Sequence, residues 1–136
     1  MDFNALHQQN QPLLLANVWD ASSAQAAQQA GYQALGSSSA AIAAMLGYED
    51  GEEMSFDELF YVVSRIKTVS ELPLSVDLEA GYGATTSHII ENIQRLAHLG
   101  VSGINLEDSH VVNNTRRLDD AVVFAAKIQE ITHACP

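Results

Sequence analysis

Apolar residues alternate along this chain between runs of strand length and stretches at helical spacing. Asp2 to Gln9 predicts a short leading helix closed by Asn10-Gln11-Pro12. Leu13-Leu14-Leu15-Ala16-Asn17-Val18 is an apolar run of strand length, the pattern of a buried parallel strand. Asp20 offers an N-cap for an alanine- and glutamine-rich helix from Ala21 to Ala30, stopped by Gly31. A second short strand, about Ala34 to Gly36, leads into Ser37-Ser38-Ser39 and a small-residue helix ending near Leu46. Gly47 to Met54 reads as an acidic loop. Ser55-Phe56-Asp57-Glu58 has the form of a capping box and opens a helix to about Val69. Leu74, Val76 and Leu78 then alternate with Ser75, Asp77 and Glu79, a third strand with two different faces. Thr86 to Leu99 carries Ile89, Ile93, Leu96 and Leu99 on one helical face and ends at Gly100. Gly103 to Glu107 predicts a fourth strand, Asp108 to Arg117 a polar loop, and Leu118 to His133 a last helix.

Strand and helix alternate throughout, which implies an α/β fold with a parallel sheet. No linker or low-complexity tract divides residues 1–136, so a single domain is expected. A doubly wound nucleotide fold would need a glycine-rich loop after its first strand. The chain reads Asn17-Val18-Trp19-Asp20 there and has no Walker loop elsewhere, so nucleotide binding is poorly supported.

The strongest chemical signal is Asp77-Leu78-Glu79-Ala80-Gly81-Tyr82-Gly83. Alternation places Asp77 and Glu79 on one side, and Gly-Tyr-Gly breaks the strand, leaving both acids at its carboxyl end. Adjacent carboxylates repel unless a cation or a shared proton joins them. Oxygen-only ligands suit a hard ion such as Mg²⁺ or Mn²⁺. A pair of solvated acids at a strand end is the competing reading. Glu107 adds a third acid, at the carboxyl end of the fourth strand. Parallel neighbours lie about 4.8 Å apart, so if strands three and four pair, three carboxylates come within reach of one ion. Sites in parallel α/β folds are built at that edge.

Charge narrows the partners. Six basic against 17 acidic residues give a net charge of −11, which repels nucleic acid and anionic membranes. Cys135 is the single cysteine, which excludes an internal disulfide and a cysteine-rich zinc site. No apolar run reaches membrane-spanning length and Met1-Asp2-Phe3-Asn4 does not open a signal peptide, so a cytoplasmic protein is expected.

The Asp77–Gly83 element, with Gly103-Ile104-Asn105-Leu106-Glu107-Asp108, resembles the isocitrate lyase/phosphoenolpyruvate mutase superfamily. Asn17-Val18-Trp19-Asp20, Gly36-Ser37-Ser38-Ser39 and Gly47-Tyr48-Glu49-Asp50 extend the likeness along the chain in order. The resemblance implies the first four βα units of a (β/α)₈ barrel. It further implies a Mg²⁺-dependent lyase or mutase that makes or breaks a C–C or P–C bond beside a 2-oxo acid, through a metal-stabilised enolate. On this basis Asp77 is the direct metal ligand, while Asp50, Glu79 and Glu107 hold the metal's waters. Ser38, Ser39 and Ala40 would grip the substrate's anionic group, with Trp19 and Tyr82 as further substrate-binding positions. The expected partner is a small anionic 2-oxo acid: oxaloacetate, phosphonopyruvate or a 2-methylisocitrate-like acid.

Two departures qualify the resemblance. The lyases proper carry a cysteine in the loop after the fourth strand, whereas Ser109-His110-Val111-Val112-Asn113-Asn114-Thr115-Arg116-Arg117 has none. That points toward the mutase-like, phosphonopyruvate- or oxaloacetate-cleaving side. A complete barrel also takes roughly 200–250 residues, and this chain holds 136. The family's later substrate-binding arginine and histidine have no counterpart in it. The alternative is therefore a catalytically silent half-barrel serving assembly, and a homo-oligomer is expected because open sheet edges favour association. Other readings are structural: Asp20 as a helix cap, Trp19 as packing at the barrel mouth, Asp50 as a solvated acid, Ser37 to Ser39 as a cap, and His110 and Asn114 in a mobile polar loop.

Overall fold

A computed structural model describes residues 2–136. Four strands, β1 (Leu15–Val18), β2 (Ala34–Ser37), β3 (Leu74–Asp77) and β4 (Gly103–Asn105), form a parallel sheet in the order β1-β2-β3-β4. The helices are α1 (Phe3–His7), α2 (Ala21–Gln29), α3 (Ser39–Leu46), α4 (Phe56–Val69), α5 (Thr86–His98) and α6 (Ala121–Ala134). This is a run of four consecutive βα units.

Local chemistry sets the helix starts. Asp20 accepts from the Ser23 N–H at 2.7 Å while the Ser23 hydroxyl oxygen accepts from the Asp20 N–H at 3.1 Å, so the cap of α2 is reciprocal. Ser55 and Glu58 close the same box on α4, as the sequence predicts. The apolar faces of α4 (Leu59, Val63, Ile66) and α5 (Ile89, Leu96) join Val18, Leu35, Leu74, Val76 and Leu78 of the sheet region in one core. Each of these side chains is nearly or fully buried, worth about 1.5–3 kcal/mol apiece in apolar surface removed from water. The core holds the sheet rigid, and its carboxyl edge projects Ser37, Asp77 and the turns that follow.

The chain departs from its sequence reading after β4. The segment expected as a mobile polar loop forms an antiparallel hairpin, β5 (Ser109–Val112) with β6 (Thr115–Leu118). Asn113 and Asn114 both adopt left-handed φ, 50° and 58°, the two-residue turn that matches strand twist. Leu118 therefore ends a strand, and α6 begins later than expected, behind an Asp120 cap. The leading helix is shorter than predicted, and β4 stops at Asn105. Among the described residues no helix is long and apolar enough to cross a membrane.

Candidate functional site

β3 and β4 pair in parallel with Asp77 opposite Asn105, so the third and fourth strands are neighbours as the carboxylate argument requires. The pairing continues past the strand ends. The Leu78 N–H donates to the Asn105 carbonyl at 2.9 Å, and the Glu107 N–H to the Glu79 carbonyl at 2.6 Å. These bonds fix Glu79 and Glu107 side by side. Strand alternation does not reach Glu79: the strand ends at Asp77, and Glu79 turns into the left-handed region at φ 49°. Gly81, at φ 111°, completes the turn, and a Cβ there would lie 2.7 Å from Ile89. Gly81 is thus required twice over, by conformation and by space.

Asp77 is held from β2 and α3. The Ser39 hydroxyl donates to Asp77 Oδ2 at 2.7 Å, and the Asp77 N–H donates to Ser37 Oγ at 2.9 Å. Asp77 Oδ1 accepts from the Glu79 N–H at 3.2 Å. Each carboxylate oxygen therefore has one partner and a lone pair to spare. Ser38 Oγ caps α3 by accepting from the Ala41 N–H at 3.3 Å, and Ala40 lies exposed in that helix's first turn. The serine run thus divides its work: Ser38 caps, while Ser37 and Ser39 orient Asp77.

Glu79 is the anomaly. The residue is 4% exposed, and among the described residues neither carboxylate oxygen meets a donor. Burial, then the neighbouring carboxyl of Asp50, with Glu52 and Asp77 behind, push its pKa up to about 8. A carboxyl buried beside other acids resists ionisation unless a cation joins them. The Tyr82 hydroxyl is likewise buried without a partner, and burial together with the Glu79 charge raises its pKa. Tyr82 donates its backbone N–H to Glu52 Oε1 at 3.0 Å.

Glu52 escaped the sequence reading because a lone acid in an acidic loop carries no periodic signal. It reaches the site because Gly51, at φ 121°, brings the loop against the hairpin, where a Cβ would lie 2.8 Å from Val111. A cavity of about 50 Å³ opens between Gly51, Glu52, Glu79, Glu107, Ser109 and Arg116, room for several waters. Arg116 was also missed; its Nη1 donates to Glu107 and, at 2.9 Å, to Ser109 Oγ. His110 also lines this cavity, but its Nδ1 lies 2.7 Å from Asp119 Oδ1 rather than bonding Arg116 or the acids. Trp19, 42% exposed, lines neither this cavity nor the cleft beside it, and its backbone N–H donates to Ser23 Oγ at 3.0 Å. Asp50 stands exposed at the rim of that cleft.

The donor set fits a hard divalent cation. It is oxygen-only, and the Glu79 carboxyl is buried without a donor, so losing its proton there calls for a cation beside it. Among the described residues no three His, Cys, Asp or Glu side chains converge closely enough to chelate an ion directly. Asp77 would serve as the protein ligand, with Glu79 and Asp50 reaching the ion through water, an arrangement Mg²⁺ accepts readily.

Residues 3–136 match the family model of phosphoenolpyruvate phosphomutase. The chain is 32% identical over 107 residues to 2-methylisocitrate lyase of Escherichia coli K12, covering 78% of this chain and 36% of that protein. It is 35% identical over 96 residues to oxaloacetate decarboxylase of Paraburkholderia xenovorans LB400, covering 70% of this chain and 32% of that protein. Among solved structures, a "putative phosphonomutase" of Burkholderia cenocepacia J2315 superposes with a TM-score of 0.89 at 41% identity. That match covers 97% of this chain and 53% of the other. The chain spans half or less of the length of the curated relatives it matches.

Proposed function

The chain belongs to the phosphoenolpyruvate phosphomutase family, in the isocitrate lyase/phosphoenolpyruvate mutase superfamily, and on that premise we propose a Mg²⁺-dependent lyase or mutase. Its four βα units are the first half of the family's (β/α)₈ barrel. The substrate is a small 2-oxo acid, oxaloacetate or phosphonopyruvate, cleaved at the bond that its C3 makes to the remote carboxylate or phosphonate group. The observation that carries this reading is the Asp77–Glu79 pair, one carboxylate braced by Ser39 and the other buried without a donor.

A bound Mg²⁺ or Mn²⁺ would polarise the 2-oxo oxygen and take up the negative charge delocalised onto it as the bond from C3 to the remote group breaks. Ser37 and Ser39 keep Asp77 in a single orientation, so no reorganisation is needed when charge develops. Glu79 can hold or release a proton near neutral pH, since burial has moved it into that range. The Tyr82 hydroxyl stays protonated and can donate a hydrogen bond into the acid cluster. Gly51 and the hairpin form one wall of the cavity.

Relatives matched by the chain include an oxaloacetate decarboxylase, which supports oxaloacetate as the first substrate to try. The test is release of pyruvate from oxaloacetate, and of pyruvate or phosphoenolpyruvate from phosphonopyruvate, with Mg²⁺ and with chelator, by wild-type and Asp77→Ala protein. Metal-dependent release lost in the variant supports the reading; release unchanged by either overturns it.

A second reading, a silent half-barrel serving assembly, draws on the open edges of the sheet. β1 and β4 each pair on one side only, and unpaired edges favour association, with a second copy as the natural occupant. A dimer that binds metal but turns over neither acid favours this reading.

A further inference from the structure

The chain has six Lys and Arg residues, and among the described residues Arg116 is the only one of them lining the cavity or the cleft beside it. The hairpin sets its direction. Arg116 pairs across the strands with Val111, whose methyl groups meet Gly51 of the acidic loop, and cross-strand partners project from the same face. The neighbouring pair, His110 and Arg117, projects from the opposite face, where His110 meets Asp119. Register alone thus aims one guanidinium at the acid cluster.

Its hydrogen bonding is lopsided. Both bonds, to Glu107 and to Ser109 Oγ, leave from Nη1. Nε and Nη2 have no partner among the described residues, and together they form the edge that matches a carboxylate or phosphonate in bidentate fashion. Glu107 therefore positions the group without using the edge that recognises anions. Arg116 also lines a cleft of about 550 Å³ together with Glu49, Asp50, Val111 and Asn114. A small dianion entering a chain of net charge −11 needs a cation at each end, and the metal serves only one.

We propose that Arg116 selects the second anionic group of the substrate, its free Nε–Nη2 edge binding the carboxylate or phosphonate remote from the 2-oxo acid head. The site then prefers dianionic 2-oxo acids to monoanions such as pyruvate. This rests on the function proposed above, because a 2-oxo acid must first be held at the Asp77 site.

The experiment titrates 3,3-difluorooxaloacetate, a dianion, and pyruvate, a monoanion, calorimetrically into the Mn²⁺-loaded full chain. Wild-type, Arg116→Ala and Arg116→Lys proteins are compared, with thermal melts to verify folding. Arg116→Ala is expected to weaken the dianion by about 10- to 100-fold and pyruvate by less than about threefold. Arg116→Lys recovers only part of the loss, because an ammonium cannot bind in bidentate fashion. Equal losses for both ligands, or an unchanged dianion, overturn the role of Arg116, as does wild-type protein that binds Mn²⁺ but neither acid. Wild-type protein that fails to bind Mn²⁺ overturns the function reading itself, and the Arg116 proposal with it.

Discussion

Ser39 and Asp77 stand 38 residues apart and are joined by a 2.7 Å hydrogen bond from the serine hydroxyl to Oδ2. The bond ties the first turn of α3 to the end of β3 and fixes the carboxylate that the proposed chemistry depends on. Ser39→Ala should cost about 1 kcal/mol in urea denaturation, the usual worth of such a bond. It should also weaken Mn²⁺ binding by roughly three- to tenfold, since a free carboxylate must be ordered before it can ligate. A titration alongside the melt checks both.

Stability without metal should fall as pH rises. In the unfolded chain Glu79 ionises near its ordinary value of 4.5, whereas in the fold burial and the Asp50 charge push its pKa up to about 8. Below the lower value both states hold the proton and its contribution is fully present. Between the two only the folded state holds it, so unfolding releases a proton and stability declines up to about pH 8. The loss should total on the order of 2–3 kcal/mol, discounted for solvent at the open side of the cavity. Glu79→Gln should flatten the profile, and saturating Mg²⁺ should flatten it in wild-type protein. Urea melts at several pH values show whether the slope exists.

Gly81→Ala should be among the most damaging single-methyl changes in the chain. The position has φ 111°, and the added Cβ would lie 2.7 Å from Ile89, itself in the core. A loss of about 2–4 kcal/mol is expected in denaturant, from backbone strain and overpacking together. A near-neutral outcome would mean that the turn after Glu79 is not rigid.

Asp20→Ala provides the contrast. Asp20 caps α2 through Ser23 and lines neither the cavity nor the adjacent cleft. The substitution should cost about 1 kcal/mol and leave Mn²⁺ affinity unchanged. A change in affinity would move Asp20 from scaffold to site.

What could be read from the chain follows from how local each signal is. The four strands and the caps at Asp20 and Ser55 are written in short stretches and recur in the structure, whereas the alternation read for the acid pair stops at Asp77 and Glu79 turns to φ 49°. Pairing of β3 with β4 needed only the rule that successive units sit side by side. The hairpin was obscured because Arg116, Arg117 and His110 make the segment polar, while the turn signal is Asn113-Asn114 rather than Asn-Gly. Arg116 and Glu52 were invisible for another reason. Each enters the site through a tertiary approach, Gly51 against Val111, that no periodicity encodes. The roles of Ser37 and Ser39 were likewise hidden within a run of identical residues, where only register separates a cap from a brace for Asp77.

The central claim is that Asp77 anchors a divalent cation. It is tested most directly by titrating Mn²⁺ into wild-type and Asp77→Ala protein, with calorimetric heat and solution mass recorded together. The expected result is saturable one-site binding by wild-type protein, abolished in the variant while its fold persists. Absence of saturable binding, or binding of equal strength in the variant, would contradict the account.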